Sequence, residues 1–189
     1  MDKRLTIFAG HYGSGKTNLA VNYALALKKK GLAVKIADLD IVNPYFRTKD
    51  SEKELKEAGI PLISPAYANS NVDLPALPQE LYSLVQRRDF HAVLDVGGDD
   101  RGAYALGRYT PYILEENDYR MVFVANFYRP LTQTPEEALE VMGEIEAACG
   151  IRPQQPLRRC VYQRDAPGSG PDPEEQNHGL RPHHLSDLR

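Results

Sequence analysis

The stretch Gly10-His11-Tyr12-Gly13-Ser14-Gly15-Lys16-Thr17 decides how this chain is read. It fits G-x-x-x-x-G-K-[ST], the pattern of a loop that cradles phosphate. The context agrees, because the apolar run Leu5–Ala9 ends at Gly10 and a helix-forming stretch begins at Lys16. Glycine at positions 10, 13 and 15 lets the backbone adopt conformations closed to other residues and approach a phosphate closely. The loop's N–H groups and the positive end of the following helix then face an anion. Lys16 is expected to reach the β- and γ-phosphates, and the Thr17 hydroxyl to hold magnesium. The residues expected to bind the nucleotide are Gly10, Gly13, Ser14, Gly15, Lys16, Thr17 and Asn18. A plain glycine turn before a core helix is the bland alternative, and the strand–loop–helix context argues against it.

Downstream, Thr17 to Lys30 reads as a helix, with Leu19, Ala20, Tyr23, Ala24 and Leu27 at helical spacing and Gly31 as its stop. Leu32 to Ala37 predicts a second strand that delivers Asp38-Leu39-Asp40, followed by Ile41 to Arg47. Ligands of doubly wound sheets bind beyond the carboxyl ends of the strands. Two carboxylates there, Asp38 and Asp40, beside a phosphate loop, point to magnesium coordination and placement of an attacking water. A pair of solvated loop acids is the alternative. Ser51-Glu52-Lys53-Glu54 reads as a capping box opening a short helix closed by Gly59, and Ile60 to Ser64 as a third strand. The polar loop Pro65–Asp73 precedes a helix from Pro78 to Arg88.

The run His91–Asp95 predicts a fourth strand ending in an aspartate, followed by Gly97 and Gly98. An acid at a strand end is what the metal side of a phosphate-loop enzyme requires, so Asp95 joins Thr17, Asp38 and Asp40 as a metal-side candidate. Gly97 and Gly98 would let the chain pass close to a γ-phosphate. Asp99 and Asp100 are expected to cap a helix from Arg101 towards Arg108. His91 reads as a strand-edge residue rather than a ligand. Arg120 to Ala125 supplies a fifth strand, and Thr134-Pro135-Glu136-Glu137 opens a helix that Gly150 ends. Five strand–helix repeats predict an α/β fold, a parallel sheet flanked by helices on both faces.

The 189 residues carry a net charge of −3, which offers no basic surface for nucleic acid. No apolar run approaches the roughly 20 residues that cross a bilayer. The opening Met1-Asp2-Lys3-Arg4 leaves no room for a signal peptide before the first strand, so a cytoplasmic location is expected. Cys149 and Cys160 form neither a disulfide framework nor a C-x-x-C pair and read as buried or incidental thiols. From Arg152 onward Arg, Pro, Gln and His dominate, a composition that cannot bury enough surface to order itself. The only strand-length apolar run there is Leu157–Tyr162. The expected division is a nucleotide-binding domain over 1–151 and a tail over 152–189, either a disordered extension or a reading-frame change that replaces the last strand and helix.

With these residues in place, the chain resembles the MinD/ParA/CobQ-type branch of the SIMIBI class of phosphate-loop NTPases, and more narrowly the CobQ/CobB/MinD/ParA nucleotide-binding-domain proteins. The resemblance runs from Met1 to about Gly150. It rests on residues 10–17, Asp38 to Arg47, Ala68 to Asp73, and Asp95 to Asp100. It implies that Asp40 is a switch aspartate that orients water, and that Thr17 and Asp95 lie on the magnesium side. It further implies a magnesium-dependent ATP-binding protein, a slow ATPase acting as a switch for a protein partner, with a homodimer as one possible assembly. Relatives that hydrolyse ATP across a dimer carry a lysine after the loop's first glycine, where this chain has His11. Three other functions fit the same residues. An amide ligase of the CobB or dethiobiotin-synthetase type would need a carboxylate pocket, for which Asn69–Asp73 is the candidate. A metallochaperone-type GTPase would need ligands such as His178, His183 and His184. A scaffold would bind nucleotide without turnover.

Overall fold

The computed structural model describes residues 2–39, 48–64, 80–97, 100–151 and 159–162. Along the chain these form β1 (Leu5–Ala9), α1 (Lys16–Lys29), β2 (Val34–Leu39), α2 (Thr48–Glu57), β3 (Leu62–Ile63) and α3 (Glu80–Gln86). Then come β4 (His91–Val96), α4 (Asp100–Gly107), α5 (Thr110–Glu116), β5 (Tyr119–Ala125), α6 (Pro135–Cys149) and β6 (Arg159–Tyr162). The strands make one sheet in the order β3-β2-β4-β1-β5-β6, and every pairing is parallel.

The apolar runs of β1 and β5 are buried along their whole length, as strands covered on both faces must be. Alternation then sorts the core into two layers. On one face Phe8, Val34, Ile36, Val93, Val122 and Val124 pack beneath Ala20, Val21, Tyr23, Ala24 and Leu27 of α1. On the other, Leu5, Ile7, Leu39, Leu94, Val96, Met121 and Phe123 pack with residues of α3, α4, α5 and α6. The chain leaves β1 for β2 on one side and later sets β5 on the other, so the strand order reverses beside β1. The crevice outside its carboxyl end is where a doubly wound sheet takes a ligand.

Local signals account for the ends of several elements. In α6, Thr134 Oγ1 accepts from the Glu137 N–H at 3.2 Å while Glu137 Oε2 accepts from the Thr134 N–H at 3.1 Å, the reciprocal box that the sequence predicts. Gly150 ends this helix with φ +68°. Gly59 closes α2 with φ +66°, as expected. The opening of α2 differs: it starts at Thr48, so Ser51 lies inside the helix and its predicted capping role falls away. No glycine or proline between Thr48 and Ser51 stops the helix from propagating towards its N-terminus.

Three further differences are topological. The third strand shrinks from Ile60–Ser64 to Leu62–Ile63, because only Ile36 and Ala37 of β2 pair with it. The helix α5 was not anticipated; it is seven residues long, too short for a clear period, and it is held by burial of Thr110 and Ile113. Among the described residues the sheet has six strands, where the sequence predicts five. The sixth falls in the apolar run Leu157–Tyr162, where Arg159–Tyr162 pairs with Val122–Ala125 on the open edge of β5. At the opposite end of the strands, Arg4 and Glu116 form an ion pair with both side chains 8% exposed. Arg4 Nη1 also donates to the Leu84 carbonyl at 3.0 Å, tying β1 to α3 and α5.

Candidate functional site

The loop after β1 takes the backbone path that its glycines permit, with Gly13 and Gly15 left-handed at φ +74° and +87°. Gly10 is required for a different reason. A Cβ there would sit 2.1 Å from the Val124 carbonyl oxygen, so β5 passes too close for any side chain. The Ser14 N–H donates to the His11 carbonyl at 3.1 Å, which curls the loop. Lys16 and Thr17 then open α1. Its N-cap is Gly15, no side chain caps it and no acid stands in its first turn. The first amides of that helix therefore have no side-chain acceptor supplied at the cap, and the partial positive charge of the helix end is not offset by a first-turn acid.

Lys16 is 5% exposed, and its ammonium makes no hydrogen bond or ion pair with a described residue. Lysines are almost never buried unless paired. The Ser14 hydroxyl, also buried, has no partner among the described residues. A buried cation, a buried hydroxyl and an uncapped helix start within four residues fit a phosphate group. Thr17 is half-buried beside them, and Asn18 is exposed.

Asp38 and Asp95 occupy matching positions near the carboxyl ends of β2 and β4, and both are buried. Their parity along the strands is that of Ile36 and Val93, so both sit on the face covered by α1, the helix that begins with Lys16 and Thr17. Magnesium is held by one or two carboxylates with waters and phosphate oxygens completing its shell. Two acids in that place fit it, and no group of three or more His, Cys, Asp or Glu side chains gathers as metal ligands among the described residues. Asp40, Ile41–Arg47, Pro65–Asp73, Gly98, Asp99 and the three tail histidines lie outside the described residues. His91 sits at the other end of β4, its Nδ1 3.2 Å from the Lys3 carbonyl, as a strand-edge residue would. Cys149 is a buried free thiol whose pKa burial pushes up.

The sequence reading missed two residues at the loop, Asn126 and Arg129, and a close contact of Gly102 beside the end of β4. Asn126, 2% exposed at the end of β5, donates through Nδ2 to the Gly13 carbonyl at 3.4 Å. Arg129 lies against Gly13, where a Cβ would meet its Nε at 3.0 Å and its Cζ at 3.3 Å. Gly102 of α4 rests on the backbone of Gly97, 2.7 Å from where a Cβ would stand. No short motif contains any of these pairs; the only cue was the end of a strand at Asn126.

No protein-family model and no curated protein matches the sequence. Solved structures do. FlhF complexed with GTP and Mg2+ is 14% identical with a TM-score of 0.53, and the match covers 86% of this chain and 56% of FlhF. The cell division protein FtsY from Thermotoga maritima is 13% identical with a TM-score of 0.53, covering 75% of this chain and 49% of that one. The signal recognition particle 54 kDa protein from Aeropyrum pernix K1, in complex with GDP, is 14% identical with a TM-score of 0.52, covering 88% and 37%. The fold is that of the phosphate-loop NTPases. These neighbours belong to the SIMIBI class named by the sequence resemblance. At such identities the likeness concerns the fold alone, and the chain spans about half or less of their length. No helix among the described residues is long and apolar enough to cross a membrane.

Proposed function

We propose that the chain is a magnesium-dependent ATP-binding protein of the MinD/ParA/CobQ branch, a slow ATPase whose bound nucleotide switches its contact with a protein partner. The observation that carries this reading is Lys16, buried at an uncapped helix start with no protein counter-charge among the described residues. In this reading Lys16 and the amides of Gly13 to Thr17 hold the phosphate chain. The Thr17 hydroxyl and the carboxylates of Asp38 and Asp95 hold magnesium and its waters, which neutralises charge on the terminal phosphates. Asp40, the residue that follows Leu39 in the sequence, orients the attacking water. In this reading the nucleotide-binding domain is residues 1–151, to whose sheet Arg159–Tyr162 adds an edge strand.

A second reading, GTP in place of ATP, has one observation in its favour: FlhF, similar in fold, is complexed with GTP and Mg2+. Titration calorimetry of the full chain with ATP and GTP, each with and without magnesium, tests both. Binding of ATP that strengthens with magnesium and vanishes in Lys16→Ala supports the proposal. Preference for GTP transfers it to the second reading. A folded wild-type chain that binds neither triphosphate would sink both.

A further inference from the structure

The Arg129 side chain packs against Gly13, with Nε, Cζ and Cδ 3.0, 3.3 and 3.5 Å from the place of a Cβ. Gly13 is the middle glycine of the phosphate loop, 116 positions earlier in the chain. The guanidinium is exposed and makes no hydrogen bond or ion pair with a described residue. Its backbone, by contrast, is held. The Arg129 N–H donates to the Asn126 carbonyl at 3.0 Å, and the Arg129 carbonyl accepts from the Thr132 N–H at 3.3 Å. Thr132, 1% exposed, also donates through Oγ1 to the Asn126 carbonyl at 2.8 Å. Asn126 in turn accepts from the Tyr128 N–H at 3.0 Å and donates to the Gly13 carbonyl.

The segment is therefore a built loop with a buried asparagine and a buried threonine at its base, and Leu131 within it holds a left-handed φ of +66°. Such backbone conformations in bulky residues are unfavourable and persist where the surroundings over-determine them. What the loop presents is one cation without an anionic partner among the described residues, set beside the loop that fits a phosphate. A guanidinium matches phosphate oxygens with paired N–H donors, and charge-assisted bonds of this kind are strong.

We propose that Arg129 is a second phosphate-binding cation of the site, delivered within the same chain from the β5–α6 loop to the nucleotide's phosphates alongside Lys16. This rests on the reading of residues 10–17 as a nucleotide site. A guanidinium that merely packs on Gly13 would leave anion affinity untouched when replaced.

The test uses the full chain with magnesium, and titrates ATP and inorganic pyrophosphate into wild type, Arg129→Gln and Arg129→Lys. Pyrophosphate has no base or sugar, so it reports the phosphate contacts alone. Arg129→Gln should weaken both ligands about tenfold or more, and Arg129→Lys should recover part of the loss, because it keeps the charge but not the paired donors. The circular dichroism and melting temperature without ligand should match wild type, because the replaced side chain is exposed. If wild type binds ATP and a folded Arg129→Gln binds both ligands as well as wild type does, the Arg129 assignment is wrong and the nucleotide site stands. Equal losses in Arg129→Gln and Arg129→Lys would also overturn it, since the charge would then not be what matters. If wild type binds neither ATP nor pyrophosphate, the site itself is misread and Arg129 falls with it.

Discussion

Asp38 of β2 and Asp95 of β4 are register partners on adjacent parallel strands, and only 8% and 4% of their surfaces are exposed. Neighbouring strands lie about 4.8 Å apart, so the two carboxyl groups leave the sheet side by side on the face that α1 covers. Like charges this close disfavour one another, and a divalent cation relieves that repulsion. Replacing Asp95 with Asn should therefore abolish most of the gain in triphosphate affinity that magnesium brings, by about tenfold or more. Titrations with and without magnesium on the same variant measure it, and an undiminished magnesium effect would remove Asp95 from the metal side.

Lys16→Ala should lower affinity for a nucleoside triphosphate at least about a hundredfold while leaving the free protein as stable as wild type or more so. The second half of that expectation follows from burial of an ammonium that has no protein partner among the described residues. Urea unfolding without nucleotide checks it; a large loss of stability would mean the ammonium already has a partner in the fold.

Three glycines should respond to alanine in an order set by geometry. Gly10→Ala drives a methyl to 2.1 Å from the Val124 oxygen and should cost about 3 kcal/mol, by displacing β5 from the loop. Gly31→Ala meets nothing within 4 Å but keeps a φ of +81°, so a loss of about 1 kcal/mol is expected. Gly143 is exposed inside α6 with open space around it, and alanine there should stabilise by about 0.5–1 kcal/mol. Denaturant midpoints of the three variants give the ranking directly.

The buried Arg4–Glu116 pair ties the start of β1 to the end of α5. Glu116→Ala leaves the Arg4 guanidinium without its carboxylate and should destabilise by about 3 kcal/mol, whereas replacing both residues with apolar ones of similar size should recover most of that. A double-mutant cycle in urea separates the two outcomes.

Alkaline pH should unfold the protein through buried acids that must stay neutral. Burial pushes the Tyr109 phenol up to about 12 from its ordinary 10.0 and raises Tyr119 and Cys149 in the same direction. In the unfolded chain Tyr109 ionises at its ordinary value, so its contribution is intact below pH 10.0 and is lost as pH rises through about 12. Urea midpoints should fall between pH 10.0 and about pH 12 in wild type and fall less steeply in Tyr109→Phe.

The glycine-rich turn at 10–17, the helix that follows it, the placing of Asp38 and Asp95 towards strand ends, the capping box at Thr134 and the α/β class were all legible in the sequence. Each is written within a few consecutive residues, because glycine conformations, apolar runs and cap hydrogen bonds act over one or two turns of chain. The start of α2 was misread for the same reason, since a local box at Ser51 competes with helix propagation from Thr48. What tertiary structure alone decided is the strand order, the in-register pairing of Asp38 with Asp95, the sixth strand on the edge of β5, and the contacts that Val124, Asn126 and Arg129 make with the loop. Asn126 and Gly13 are 113 residues apart, and no periodicity or motif spans that distance. Residues so far apart meet only when the sheet brings β5 beside β1, and which strand lies beside which is settled by how both faces of the sheet bury their apolar side chains together.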